Sequence, residues 1–344
     1  MRIVVNDIAA SSGGAMAILK QFYQYVRDND KSNEWIFLLS DSYLEETDNI
    51  KIKVITSVKK SGLHKLWFDF VSGSRFINSL KPDIVFSMQN ILTFGVKAPQ
   101  YVYIHQSIPF QHQKNFSLFI GSERPVAIYQ HLIGRIIKLS AKKSDGFIVQ
   151  TEWMKREVLS SINNTGKKCL AAFPDVPGFK VDASKISAER LFFYPTNEES
   201  YKNISAIEEA VNILKTRNLN DYRVVLTIKK ENTDNFEYSG RLNFEQMCEM
   251  YSKAVLLFPS YIETVGLPLL EAMQFGAVIF AADCDYAHET IGDYKNAYYF
   301  NPWKPDELAD LMQKYLNGEI KREIGISGIQ KKSEWSRVFD FLLG

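Results

Sequence analysis

Short apolar runs alternate with longer mixed stretches along this chain, and that alternation predicts strand, helix, strand, repeated. Residues 3–5 read as a strand, a glycine turn follows, a helix is expected near residues 15–27, and residues 35–39 return to a strand. Further strands are expected at residues 52–55, 84–87, 101–104 and 146–149, with helical segments between several of them, giving a first parallel sheet. The text then changes. Around residues 171–186, Pro174, Asp175, Pro177, Gly178 and Asp182 make a turn-rich linker. A second alternation follows, with strands at residues 191–194, 224–228, 255–258 and 277–280. The pattern is α/β throughout, with no internal repeat or low-complexity segment.

A length of 344 residues exceeds what one ordinary core holds, and 46% hydrophobic residues suffice to bury two. Lysine and arginine number 41 against 40 acids, so no overall electrostatic attraction to nucleic acid is expected. The three cysteines, Cys169, Cys248 and Cys284, are odd in number and lack metal-ligand spacing. They suit a reducing cytoplasm. No run approaches the roughly 20 apolar residues that span a bilayer, and the first ten residues open a strand rather than a signal core. The expectation is a protein that is soluble and cytoplasmic, or held only at a membrane surface.

Candidate chemistry concentrates in residues 258–283, FPSYIETVGLPLLEAMQFGAVIFAAD. The strand at 255–258 is broken by Pro259 and Ser260, so Glu263 falls on a loop. Pro268 suits the first turn of a helix, which places Glu271 about one turn inside it. The free amides around Gly266 and Leu267 would then form a positive helix end that attracts phosphate. Both carboxylates could accept hydrogen bonds from one extended ligand; equally, one could be a solvated loop glutamate and the other a glutamate favoured by the dipole. Three other places bear on a ligand. Ser11-Ser12-Gly13-Gly14 joins the first strand to a helix, either as plain turn chemistry or as a close approach for phosphate or sugar. His105 follows the strand at 101–104, where a strand's carboxyl end meets ligands in open α/β sheets, with Gln106 and Ser107 beside it. Lys202 and Asn203 precede a helix beginning near Ser205, where a mobile lysine could reach a diphosphate.

Residues 258–283 are similar to the Glu-x7-Glu region of the retaining glycosyltransferases of family four. The likeness continues through Glu289, Ile291-Gly292-Asp293 and Tyr299-Phe300-Asn301-Pro302, and upstream through Tyr238-Ser239-Gly240-Arg241-Leu242 and Met250-Tyr251-Ser252-Lys253-Ala254. The resemblance implies the GT-B fold, two facing Rossmann-like domains with an interdomain cleft. It places an acceptor domain at residues 1–172, a nucleotide-sugar domain at 173–330, and a last helix, about 331–344, packed back on the first domain. By the same resemblance Glu263 would hold hydroxyls of the donor sugar and Glu271 the ribose. Lys202 would meet the diphosphate, His105 would lie near the transferred sugar, and Gly13 and Gly14 would lie beside the diphosphate and acceptor. Thr264, Val265, Gly266 and Leu267 would line the donor, and Arg241 would serve the phosphates or frame the base. One departure stands out: many members carry an arginine a few residues before the lysine, where this chain has Pro195, Thr196, Asn197, Glu198 and Glu199. Lys229, Lys230 and Arg241 are the other cations nearby.

The implied reaction retains the anomeric configuration and needs neither cofactor nor metal. One Asp-x-Asp match, Asp283-Cys284-Asp285, lies beyond the strand, and the other, Asp28-Asn29-Asp30, lies far from the Glu-x7-Glu segment in sequence. A UDP-sugar is the first expectation for the donor and a GDP-sugar the second. The acceptor would be a saccharide, lipid-linked as in bacterial surface polysaccharide synthesis (capsule or O-antigen). Residues 126–143 mix Ile133, Ile136, Ile137 and Leu139 with Arg135, Lys138, Lys142 and Lys143, so they form either a helix packed on its own sheet or an amphipathic helix resting on the inner membrane. Rival readings are a sugar-nucleotide epimerase of the same fold, a glycoside hydrolase using the two glutamates, and a non-catalytic sugar-nucleotide-binding subunit.

Overall fold

Two wholly parallel sheets organise the chain. The computed structural model describes residues 1–11, 13–176, 178–179, 181–323 and 333–344, without the side chains at 59, 60, 63 and 183. They divide into one unit of Met1–Asp175 with Lys332–Gly344 and another of Val176–Lys331.

The first unit holds β1 (Arg2–Asn6), β2 (Glu34–Leu39), β3 (Ile50–Val54), β4 (Ile84–Ser87), β5 (Gln100–Ile104), β6 (Gly146–Val149) and β7 (Cys169–Ala171). Their order across the sheet is β3-β2-β1-β4-β5-β6-β7. All of these neighbours pair parallel. The second unit holds β8 (Leu191–Tyr194), β9 (Arg223–Leu226), β10 (Phe236–Tyr238), β11 (Val255–Phe258), β12 (Ile279–Ala282) and β13 (Ala297–Phe300), in the order β10-β9-β8-β11-β12-β13. Helices cover both faces of such sheets, so the inner strands read as unbroken apolar runs; all four residues of β4, β6, β8, β11 and β12 are buried.

Some strands differ from the sequence expectation. The last apolar run begins at Ile279 rather than Ala277, because Gly276 takes φ +68° and the Ala277 amide donates back to the Ala272 carbonyl, 3.1 Å. Residue 277 is spent closing the preceding helix, and the Val278 carbonyl then accepts from the Leu256 amide of β11 at 2.8 Å. The short strands β7 and β10, and β13 with its half-buried tyrosines, are additions to the expected set.

The helix Trp335–Leu343 belongs to the first unit. Trp335, Val338 and Leu342 enter the core beside Phe22, Trp35 and Tyr103. The Trp335 ring lies 5.4 Å from Phe22 and 5.9 Å from Tyr103. The stretch at 126–143 is not one regular helix. It is α-helical over Arg124–Ile128, passes through a π-helical turn at Tyr129–Ile133, and is α-helical again over Gly134–Lys143. Ile137, Ser140 and Ala141 are buried, while Leu132 and Leu139 stay exposed.

Candidate functional site

In an open parallel sheet the crevice opens where the strand order reverses, at the carboxyl ends of the two strands that flank the reversal. In the second unit those strands are β8 and β11. The loop after β8 ends in a 3-10 turn, Ser200–Lys202, and Asn203 takes the left-handed conformation, φ 55°, before the helix Ile204–Thr216. Asn203 Nδ2 donates to the carbonyls of Pro259 at 3.3 Å and Pro302 at 2.8 Å. The Tyr261 amide and the Ser260 hydroxyl both donate to the Tyr201 carbonyl, at 3.2 and 3.3 Å. Those bonds lash the β8 loop to the β11 loop, and Lys202 Nζ consequently meets Glu263 Oε1 at 2.5 Å.

Lys202 is therefore not the free-swinging charge expected of a loop lysine. Its side chain is 18% exposed and that of Glu263 17%, and Tyr194 Oη donates to the Lys202 carbonyl at 3.1 Å. The burial of Tyr194, then the Glu263 charge, pushes its phenol well above the ordinary range.

Beyond Glu263, Thr264 is half-buried and Val265 buried, with the Val265 carbonyl accepting from Thr290 Oγ1 at 2.6 Å. Gly266, φ +76°, caps the helix Leu267–Gln274, which has Pro268 in its first turn. Among the described residues, the Gly266 and Leu267 amides make no hydrogen bond. Glu271 lies within that helix and accepts from Tyr251 Oη at 2.6 Å. Burial raises the Glu271 carboxyl, and the tyrosine bond partly opposes it. Arg241 is exposed in the turn after β10 and makes no ion pair among the described residues; Lys229 is likewise exposed, and Lys230 pairs with Glu208 at 3.3 Å. Asp283 accepts from the His288 ring at 2.6 Å, and Cys284 is buried. The structure thus joins Lys202 to Glu263 and Glu271 to Tyr251, and no hydrogen bond among the described residues brings Arg241 to either pair.

In the first unit the order reverses between β1 and β4. Asp7 follows β1, Gln89 and Asn90 follow β4, and His105 follows β5; all four line one cavity of about 440 Å³. Its opposite wall is aliphatic, including Ile128, Leu132 and Ile136. The His105 amide donates to Asn90 Oδ1 at 2.8 Å, so Asn90 Nδ2, 3.2 Å from His105 Nε2, donates to that nitrogen and the proton resides on Nδ1. Burial lowers the His105 pKa to about 4, which keeps the ring neutral at physiological pH. Asp7 is 2% exposed, and burial raises its pKa to about 7, with Lys65 opposing. Asp7 Oδ1, Gln89 Oε1 and His105 Nδ1 have no hydrogen-bond partner. Gln106 is used locally, accepting from the Ile108 amide at 3.1 Å. Gly13, φ +64°, and Gly14 open the helix Gly13–Asn29, and a Cβ at either would meet nothing within 4 Å.

Asp7, Asn90 and Tyr194 were not among the expected site residues; Asn203 was named only as the neighbour of Lys202, and Tyr251 only within the family-like segment. Asp7 had a visible signal, an acid directly after the strand β1.

Residues 180–331 match the family model described as Glycosyl transferases group 1. The second unit carries that domain. A serotype-specific mannosyltransferase, WbdA, of Escherichia coli is 27% identical over 156 residues, 40% of this chain and 19% of its own. An O-antigen chain mannosyltransferase, RfbU, of Salmonella typhimurium is 23% identical over 240 residues, 62% of this chain and 66% of its own. The chain thus spans about a fifth of the first relative and just under two thirds of the second. Among solved structures, Anabaena Alr3699/HepE in complex with UDP and glucose superposes with a TM-score of 0.66 at 14% identity, over 96% of this chain and 94% of that one. The fold is GT-B, with two Rossmann-like units.

Proposed function

We propose that this chain, whose second unit is a group 1 glycosyltransferase domain, moves a sugar from a nucleoside diphosphate onto a saccharide acceptor in bacterial surface polysaccharide synthesis. The observation that carries the reading is the Lys202–Glu263 pair, held at the point where the second sheet reverses its order and followed at once by the unbonded amides of Gly266 and Leu267. A sugar diphosphate can exchange that pair for two better ones: phosphate oxygen takes the ammonium and the amides, and a sugar hydroxyl donates to the freed carboxylate. Glu271, oriented by Tyr251, would accept from the ribose. As the bond from the anomeric carbon to the diphosphate breaks, negative charge grows on the leaving oxygen, where the lysine and amides already point. The acceptor oxygen attacks from the same face and the departing phosphate takes its proton, so configuration is retained without a metal ion. The relative named as an O-antigen chain mannosyltransferase supports a surface-polysaccharide acceptor, lipid-linked in this reading, and the HepE complex supports UDP over GDP in the donor.

Thermal-shift titration with UDP-sugars, GDP-sugars and the free nucleotides tests it, because a true donor stabilises the native form by mass action. Glu263→Ala should keep the nucleotide shift and depress turnover. Glu271→Ala should weaken nucleotide binding, by about 1.5–3 kcal/mol if it loses charge-assisted hydrogen bonds to the ribose. Unaltered shifts and unaltered kinetics in both variants would overturn the assignment. Donor-stabilised protein that turns over with no acceptor would replace it with a sugar-nucleotide-binding subunit.

A further inference from the structure

Exposed apolar side chains are concentrated on this molecule. Of the 14 large hydrophobic residues described as exposed, ten fall within residues 56–80 and 113–144. Trp67 is 62% exposed, Phe70 42%, Phe119 93%, Ile120 50% and Leu132 52%. A few scattered exposed hydrophobics are ordinary, but a set gathered into two segments is not. The segments are also unlike the rest in charge. They hold ten lysines and arginines against two acids, Asp69 and Glu123, which leaves 31 bases and 38 acids elsewhere, from chain totals of 41 and 40.

Both acids are neutralised internally. Asp69 is buried and bonded to Lys65 at 2.8 Å. Glu123 pairs with Lys114 at 2.7 Å and accepts from the Ser117 amide at 2.8 Å, which braces the loop carrying Phe119. Arg75, Arg124, Arg135, Lys138, Lys142 and Lys143 make no ion pair among the described residues. The two segments come together around a single cavity, the one lined by His105 and Asp7: Lys65 and Leu66 contribute from one, and Ile128 and Leu132 from the other.

Each segment contains a π-helical turn, Phe68–Ser72 and Tyr129–Ile133, followed by a glycine. A Cβ at Gly73 would lie 2.6 Å from the Phe68 carbonyl, and one at Gly134 2.8 Å from Pro109. A π turn holds one residue more than an α turn, so it rotates the helix face on either side of it by about 100°. The glycines make room for the tight passage.

We propose that these two segments form a surface that docks on an anionic phospholipid bilayer, with the aromatic side chains entering the interface, the basic residues meeting the headgroups, and the cavity opening between them toward the lipid. Aromatic and aliphatic tips beside unpaired cations are what such an interface takes up. The proposal extends the glycosyl-transfer reading by making the bilayer the source of the acceptor, but binding can be measured without donor or acceptor.

Sedimentation with phosphatidylglycerol vesicles and with phosphatidylcholine vesicles provides the test, with Trp67 fluorescence read against brominated lipid. Wild-type protein should bind phosphatidylglycerol at least tenfold more tightly than phosphatidylcholine and be released at about 0.5 M salt, where the Debye length falls to a few ångströms. Trp67→Ser with Phe119→Ser should weaken binding by tenfold or more and leave nucleotide thermal shifts intact. Lys138→Gln with Lys142→Gln and Lys143→Gln should abolish the preference for anionic lipid. Glu263→Ala should bind vesicles as wild type does, so a failed transfer assay and a failed docking surface are told apart. Equal binding to both lipids, or anionic-lipid binding untouched by the double serine variant, would overturn the proposal. So would a concentration-dependent dimer, abolished by the serines, with no vesicle binding; the surface would then belong to a second copy of this chain.

Discussion

Asp7 and His105 line the same cavity and are shifted in opposite directions by the same burial. The Asp7 carboxyl, ordinarily near 3.8, titrates at about 7 in the folded protein. Between those values the folded state binds the extra proton, so its contribution to stability is full below about pH 4 and is lost as pH rises to 7. The His105 ring, ordinarily near 6.5, titrates at about 4 when folded. There the unfolded state binds the extra proton, and stability is lost as pH falls through 6.5 toward 4. Over that shared range the two slopes offset each other. Asp7→Asn removes the falling slope alone. At pH 4 the variant should match wild type, and by pH 7.5 it should be more stable by roughly 2–4 kcal/mol, because each tenfold change in proton affinity between the folded and unfolded states corresponds to about 1.4 kcal/mol. Urea unfolding at pH 4, 5.5 and 7.5 measures the difference, and a gap independent of pH would show that Asp7 is not buried with its charge suppressed. The arrangement has a cost at neutral pH that a core carboxylate with no partner for Oδ1 has no structural reason to carry. A hydroxyl arriving in the cavity would supply that partner.

At the scale of elements, two glycines at helix starts separate folding from binding. Gly266 has φ +76°, and a Cβ there would stand 3.1 Å from Leu269 and 3.2 Å from Phe258. Gly266→Ala should therefore destabilise by about 1–2 kcal/mol from the backbone conformation alone, lowering the melting temperature by several degrees. Gly14 has no left-handed backbone and open space around it. Gly14→Ala should leave stability unchanged or slightly raised, since alanine is the better helix residue by up to about 1 kcal/mol. If ligand approaches that backbone, only ligand-induced stabilisation should fall. Melting curves with and without nucleotide sugar distinguish the two effects. These glycines, and the strands β1, β4, β6, β8 and β11, were legible in the sequence because buried parallel strands are apolar runs bounded by breakers. The lashing of the β8 loop to the β11 loop was not. It depends on Asn203 in a left-handed conformation reaching carbonyls 56 and 99 residues away. No local pattern encodes such a contact, and for the same reason Lys202 read as a mobile charge rather than one held by Glu263. The two π turns were hidden too, since residues 126–143 carry apolar spacing that fits an unbroken helix almost as well.

For the whole molecule the decisive element is the last one. The helix Trp335–Leu343 lies more than 150 residues beyond the rest of the first unit in sequence, yet Trp335 is 2% exposed within its core. The aromatic cluster of Phe22, Trp35, Phe86 and Tyr103 is closed by that side chain. Glu334 ties the helix start to the end of the first unit's main segment by accepting from the Phe173 amide at 2.8 Å. Trp335→Ala should leave a large cavity and cost the first unit about 3–5 kcal/mol. The second unit has its own core and its own sheet, so the loss should fall unevenly. Calorimetry of the variant should show a lowered first transition, with a second transition near the wild-type temperature that still rises on adding nucleotide sugar. Trp335→Phe separates ring packing from the indole nitrogen. The indole Nε1 is buried without a partner, so phenylalanine gives up some contact area but also removes an unpaired donor, and it should cost under about 1.5 kcal/mol. A single transition lowered equally by both substitutions would mean that the two units melt as one body and that the indole nitrogen, rather than ring packing, sets the stability of the first.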